Sequence, residues 1–168
     1  LKLSANKNYN VIVNADISNF YDTINLHVLE NELRDAIDSE DILLNKGIYW
    51  LDRFLQKTDY GWSRGIPVGN NASRILAEAS LISVDRRLKR NGLKFIRYVD
   101  DYRIFTKNSV DGQKGLEVLK FELDRVGLSL NDGKVSLEFI KDENRKKGEK
   151  ILSGEDIKIN PKRENYET

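Results

Sequence analysis

The sequence predicts an α/β fold, a small antiparallel sheet packed with helices on one face. Three observations predict it. A strand-like run near the start is separated from the other strand-like runs by long stretches with helical spacing of apolar residues. Two strand-like runs, "LKFIRYV" and "YRIFT", are separated only by Asp100 and Asp101, which is hairpin spacing. The chain has 168 residues, and 39% of them are hydrophobic, enough to bury one core.

The elements follow in order. "NVIVNAD", residues 10–16, alternates apolar and polar residues and reads as a strand ending on an acid. "SNFYDTIN" reads as a turn-rich connection. From Asn25, a plausible N-cap, Leu26, Leu29, Leu33 and Ile37 fall on one helical stripe. A second helix is expected over about 42–56, with Ile48, Leu51 and Leu55 on its stripe. "TDYGWSRGIPVGNN" carries three glycines and a proline and reads as a loop. A long helix is expected over about 72–90, with Ile75, Leu76, Ala79 and Leu88 inward. After the hairpin, Ser109 or Asn108 caps a helix whose Leu116, Leu119, Leu123 and Val126 share a face, and Gly127 stops it. "LSL" and "VSLEFI" read as short strands around the turn signal "NDGK". The charged run "KDENRKKGEK" reads as a mobile loop or linker, so the expected division is a core unit over 1–140 and a charged loop or linker over 141–168.

Composition narrows the chemistry. The net charge is +1, so no global field points to nucleic acid or membrane, and nucleic-acid contact must come from local patches. There is no cysteine, which excludes disulfides and thiolate metal sites. The single histidine, His27, excludes a multi-histidine zinc site within the chain and reads as a first-turn surface or packing residue. A metal here needs oxygen ligands, as Mg²⁺ or Mn²⁺ prefers. No apolar run is long enough to span a bilayer and the N-terminus does not read as a signal peptide, so no membrane partner and a cytoplasmic location are the expectation. The chain starts at Leu1 without a methionine and ends in "NYET", which reads as a segment of a longer protein.

Paired acids repel and are poor strand formers, so "RYVDDY" needs a reason. An ordinary turn is one reading, because Asp tolerates turn conformations. In the expected sheet, however, Asp16 at the end of the first strand lies beside Asp100 and Asp101. Carboxylates that converge without arginine partners repel unless protonated or bound to a cation. Mg²⁺ is suited to such a place, since it takes one or two carboxylates and leaves room for water and phosphate.

The segments "NADISNFYDTI", "RGIPVGNNASRILAEA", "FIRYVDDYRIF" and "GLSLNDGKVSL" resemble, in order, the palm motifs of reverse transcriptases. The resemblance covers roughly Val11 to Ile140, and its wording looks closest to bacterial reverse transcriptases of the abortive-infection and antiviral-defence type. It implies a polymerase palm and an RNA-directed DNA polymerase, with two Mg²⁺ or Mn²⁺ ions as cofactors. Asp16, Asp100 and Asp101 are implied as metal ligands, and the Ile17 carbonyl also faces a metal. Tyr21 matches the steric gate beneath the incoming sugar, which selects deoxynucleotides. Phe20 is its aromatic neighbour and by the resemblance belongs to the nucleotide site, but core packing is its expected role. Pro67, Val68 and Gly69 match the loop beside the nascent base pair. Ser73 and Arg74 are implied to contact nucleic-acid backbone or template, though Arg74 can equally make a structural ion pair. Lys134 matches the lysine near the triphosphate, a candidate general acid for pyrophosphate.

Two departures stand out. The family often has glutamine at the place of Val68. Asp22 stands near the place of the second acid that RNA-dependent RNA polymerases use to accept a ribose hydroxyl. Tyr21 favours the deoxynucleotide reading. The basic residues Arg86, Arg87, Lys89, Arg90, Lys94 and Arg97 can bind template backbone, but a solvated helix end is the expected role. The implied partners are a nucleic-acid template and primer, deoxynucleoside triphosphates, and the fingers and thumb of the parent chain. The fragment alone is expected to polymerise poorly or not at all. A non-catalytic palm that binds nucleic acid or protein, and an RNA polymerase palm, are the competing readings.

Overall fold

The computed structural model describes residues 8–37, 41–58 and 63–141. Of the charged run expected to be a linker, 142–150 lies outside the described residues, as does the rest of the chain after it.

Four strands form one sheet in the order β2-β3-β1-β4: β1 (Val11–Asp16), β2 (Lys94–Tyr98), β3 (Asp101–Thr106) and β4 (Ser136–Phe139). Every neighbouring pair is antiparallel. Val13 opposite Ile104 and Ala15 opposite Tyr102 put four buried side chains on one face. The helix α6 (Ser109–Asp124) lies against β1 and β3 on that side. Its approach is close because Gly112 has no side chain: a Cβ there would stand 3.1 Å from Val13 Cγ2 and 3.2 Å from Leu137 Cδ1. The expected antiparallel sheet with helical packing is therefore present.

The remaining helices are α1 (Phe20–Thr23), α2 (Leu26–Asp35), α3 (Ile42–Thr58), α4 (Asn71–Ser80) and α5 (Ile82–Arg90). Asn25 caps α2 by accepting from the His27 and Val28 amides, and Asn108 caps α6 by accepting from the Asp111 amide. The first connection, expected to be all turn, contains the single helical turn α1.

The long helix expected over 72–90 is two helices. Ser80 donates its hydroxyl hydrogen to the Ala77 carbonyl at 2.8 Å, a local bond that bends helices. The next residue, Leu81, leaves helical geometry with ψ near 0° and is fully buried. Within α4 the buried positions are the small residues Ser73, Ala77, Ala79 and Ser80. The backbone packs closely through them, and Ile75, expected inward, is 68% exposed. "LSL" contributes only an isolated bridge from Leu130 to Ile17, because the chain turns straight into a 3-10 turn over Asp132–Lys134. Among the described residues no helix is long and apolar enough to cross a membrane.

Candidate active site

β1 ends on Asp16, and the sheet register sets Asp16 opposite Asp101, the first residue of β3. Residues paired in this way project to the same face. Between β2 and β3 the loop is two residues, Val99 and Asp100. The Ile17 amide donates to the Asp100 carbonyl at 3.3 Å, which ties the turn to the end of β1. Asp16, Asp100 and Asp101 thus gather at one end of the central strand pair.

The segment that carries Lys134 is tied to the same end. The Ser18 amide donates to the Ser129 carbonyl, and the Asn131 amide donates to the Asp16 carbonyl, both at 2.8 Å. The 3-10 turn that follows brings Lys134 Nζ to 3.0 Å from Asp16 Oδ2. The Asp16 side chain is only 12% exposed and that of Lys134 is 62% exposed, so the lysine reaches inward from solvent.

The electrostatics follow from this crowding. Desolvation pushes the Asp100 carboxyl up from its ordinary value, and the nearby Asp16 and Asp101 charges push the same way. Lys134 acts in the opposite direction on Asp100. The hydrogen bond to Asp16, then the charge of Asp16, raises the Lys134 ammonium.

Oxygen donors near one another with a cation already drawn to them suit a hard divalent ion. Among the described residues no three Asp, Glu or His side chains converge into a cage for one ion. That arrangement still fits Mg²⁺, which is commonly held by one or two carboxylates and completed by water and substrate phosphates.

The turn itself is strained. Val99 has φ +57°, a left-handed conformation that β-branched residues avoid. Such a residue costs about 1–3 kcal/mol and persists only where its surroundings impose it. Here they do. Arg97 Nη1 donates to the Val99 carbonyl at 2.8 Å. The same guanidinium meets Asp85 from α5 through Nε at 3.1 and 3.2 Å and Nη2 at 2.8 Å. Its Nη1 also lies 2.9 Å from Glu78 of α4, and Tyr102 donates its hydroxyl to Asp85 at 2.9 Å.

The expectation of a solvated basic helix end fails for Arg97. Its side chain is 10% exposed and committed to ion pairs and the Val99 carbonyl, because strand alternation turns it inward with Phe95. Arg87 is likewise paired, to Glu122 at 2.5 Å. The alternation in "KFIRY" is the signal that identifies Arg97: an inward arginine requires a buried acid partner. Asp85 itself carries no such signal.

The other candidate residues divide. Tyr21 is half-buried, and its carbonyl accepts from the Ile66 amide at 2.9 Å, which joins α1 to the "GIPVG" loop. Pro67, Val68 and Gly69 of that loop are exposed, Val68 by 70%, and Gly69 has φ +104°. Phe20 is 3% exposed and packs edge-on to Tyr21 at 5.6 Å, in the core role expected of it and not against the nucleotide. Ser73 is also corrected: it is 3% exposed, with its amide bound to the Asn70 cap at 2.7 Å, and offers no surface to nucleic acid. Arg74 is exposed and stands over the Tyr98 ring at 5.7 Å; among the described residues it makes no ion pair. The Ile17 side chain is buried.

An antiparallel sheet backed by helices, with acids gathered at the end of its two central strands, is the layout of a polymerase palm. Residues 1–155 match the family described as reverse transcriptase (RNA-dependent DNA polymerase), and the chain belongs to that family. The fold is similar to apo telomerase from Candida tropicalis truncated from its C-terminal domain, with TM-score 0.60 and 16% identity over 82% of this chain and 32% of that one. It is also similar to telomerase from Candida albicans in complex with a fragment of telomeric RNA, with TM-score 0.56 and 15% identity over 81% of this chain and 28% of that one. The chain therefore spans about a third of the length of these structures. No curated protein sequence matches it.

Proposed function

We propose that this chain is the catalytic palm of an RNA-directed DNA polymerase that transfers deoxynucleotides to a 3′-hydroxyl or a protein hydroxyl primer. The observation that carries the reading is the juxtaposition of Asp16, tied to Lys134 at 3.0 Å, with the Val99–Asp100 turn. Asp16 and Asp100 would hold two Mg²⁺ or Mn²⁺ ions, with Asp101 and the Ile17 carbonyl alongside. When bound, such ions activate the attacking hydroxyl and stabilise the leaving pyrophosphate.

The chain's own residues supply the rest. Tyr21, joined to the loop before Pro67, lies beneath the incoming sugar and excludes a 2′-hydroxyl. Pro67, Val68 and Gly69 present an exposed edge to the base pair, and Arg74 presents a cation to the template strand. Lys134 is held protonated by Asp16. Once the Asp16 charge is engaged elsewhere, that hold weakens and Lys134 is free to give its proton to pyrophosphate.

The 141–168 boundary, the defence-type subclass and the need for fingers and thumb belong to the same proposal. The exposed Leu43, Trp50 and Phe54 of α3 are consistent with more protein covering this palm.

Primer extension with the parent protein and Mg²⁺ or Mn²⁺ tests the reading. Asp16→Asn and Asp100→Asn should each abolish synthesis, and Tyr21→Ala should admit ribonucleotides. Synthesis that survives either aspartate change would end it. A non-catalytic palm is the second reading, favoured by the Lys134 ammonium that already pairs with Asp16 at 3.0 Å. It predicts that Mn²⁺ leaves the melting temperature unchanged in both the native chain and Asp100→Asn.

A further inference from the structure

We infer that Arg97 is a positioning residue that sets the Asp100 carboxylate by clamping the strained turn before it. The inference rests on the polymerase reading for its kinetic consequence. It does not need that reading for its structural one.

The sheet gives Arg97 no reason to be charged. It lies on the inward side of β2, opposite Tyr102, where an apolar residue would pack without needing a partner. Two carboxylates from different helices meet it instead, Glu78 from α4 and Asp85 from α5. The helix break at Leu81 separates those two acids into independent helices, so each can approach the guanidinium. Tyr102 orients Asp85 through its hydroxyl and lies 5.9 Å beneath the Arg97 carbon.

The fork used for Asp85 fixes the guanidinium plane. That leaves Nη1 aimed at the Val99 carbonyl, 2.8 Å away. Val99 is the residue at φ +57°, and Asp100 follows it. Left to itself, a valine returns to negative φ, which would swing the next carboxylate away from Asp16. The carbonyl of Asp100 is restrained on the other side by the Ile17 amide. The turn is therefore held between β1 and Arg97. A lysine has one nitrogen and no fork, so it can keep the charge at this place but cannot hold both Asp85 and the Val99 carbonyl in this geometry.

The test compares Arg97→Lys and the milder Glu78→Gln, each with and without Val99→Gly. Three measurements are made. The first is the backbone chemical shifts of Val99 and Asp100 in the metal-free chain. The second is the Mn²⁺ dissociation constant. The third is kcat and KM in primer extension by the parent protein. Arg97→Lys should displace the Val99 and Asp100 shifts and weaken Mn²⁺ binding about tenfold or more, the usual cost of losing an outer partner of a metal ligand. In the parent, kcat should fall while KM for the deoxynucleotide stays within about twofold. Glu78→Gln should do the same to a smaller degree while keeping the fold. Val99→Gly removes the strain that the clamp opposes, so adding it should shrink the effect of Arg97→Lys on the hairpin shifts. A folded Arg97→Lys or Glu78→Gln chain with native Val99 and Asp100 shifts and native Mn²⁺ affinity would overturn the inference. A parent protein that makes no DNA at all would sink the polymerase reading, while the shifts and Mn²⁺ affinity would still decide the clamp.

Discussion

Tyr102→Phe isolates one bond of the network behind the hairpin. Tyr102 is fully buried at the centre of the sheet, and its hydroxyl donates to Asp85 Oδ1 at 2.9 Å. Burial, then the Asp85 charge, pushes the phenol far above its ordinary value, so the hydroxyl is a proton donor at neutral pH. Phenylalanine keeps the ring and removes only the oxygen. A hydrogen bond to a charged group contributes about 1.5–3 kcal/mol. Asp85 is not orphaned by the change, since Oδ1 still accepts from Arg97 Nε at 3.2 Å and Oδ2 from Nε and Nη2. The expected loss therefore lies at the lower end, about 2 kcal/mol. At roughly 2–4 °C per kcal/mol for a domain of this size, the melting temperature should fall by about 4–8 °C. Urea unfolding followed by far-UV circular dichroism measures it, with an unchanged m-value showing that compactness is preserved. Tyr98→Phe is the control: that side chain is 69% exposed, and its change should stay within about 0.5 kcal/mol. A Tyr102→Phe loss no larger than that of the control would refute the claim that Asp85 depends on the hydroxyl.

Three other outcomes are expected. The raised pKa of Asp100 means that the folded chain binds that proton more tightly than the unfolded chain. Ionisation therefore costs stability above the folded pKa, and the cost disappears below the ordinary carboxylate value of about 4. Without divalent metal, Asp100→Asn should raise the melting temperature at pH 7 and lose that advantage towards pH 4; melts across this range showing a constant difference would contradict it. Asn70 caps α4 through its bond to the Ser73 amide, so Asn70→Ala should cost about 1 kcal/mol in urea titration and Asn70→Asp should recover most of it. Gly112→Leu forces side chain between α6 and Val13 and should cost about 3 kcal/mol, whereas Gly47→Ala, with nothing within 4 Å, should gain about 0.5–1 kcal/mol.

The elements that sequence reveals here are those with local causes. Asn25 and Asn108 announce their helices because a cap acts within three residues. The two runs around Asp100 and Asp101 announce a hairpin because their spacing leaves no other connection. The pairing of Asp16 with Asp101 follows once β1 is placed beside β3, since each acid stands at a strand end. What stays hidden has distant causes. Leu81 interrupts a continuous helical pattern and is fully buried; Ser80 bonds back to the Ala77 carbonyl beside it, but a serine within a helical pattern does not by itself announce a break. Val99 adopts a conformation that its own side chain opposes, under the hold of residues from two helices. Ser73 lies within a motif that suggests substrate contact, yet burial assigns it to support.

These hidden features converge on one place. The acids at the turn repel, the turn is strained, and both costs fall on Val99 and Asp100. Relaxing the turn would relieve both by letting Asp100 move away from Asp16. Two restraints oppose that motion: the Ile17 amide in front and the Arg97 guanidinium behind. Arg97 is itself immobilised by Asp85 and Glu78, so the restraint is passed to α4 and α5 and through Tyr102 to the sheet core. Lys134 reduces the repulsion in front, but from an exposed position where it can be displaced. The division has a physical consequence. The attractive partner of the acids is exposed and the restraint on their geometry is buried, so displacing Lys134 should leave the shape of the cluster intact.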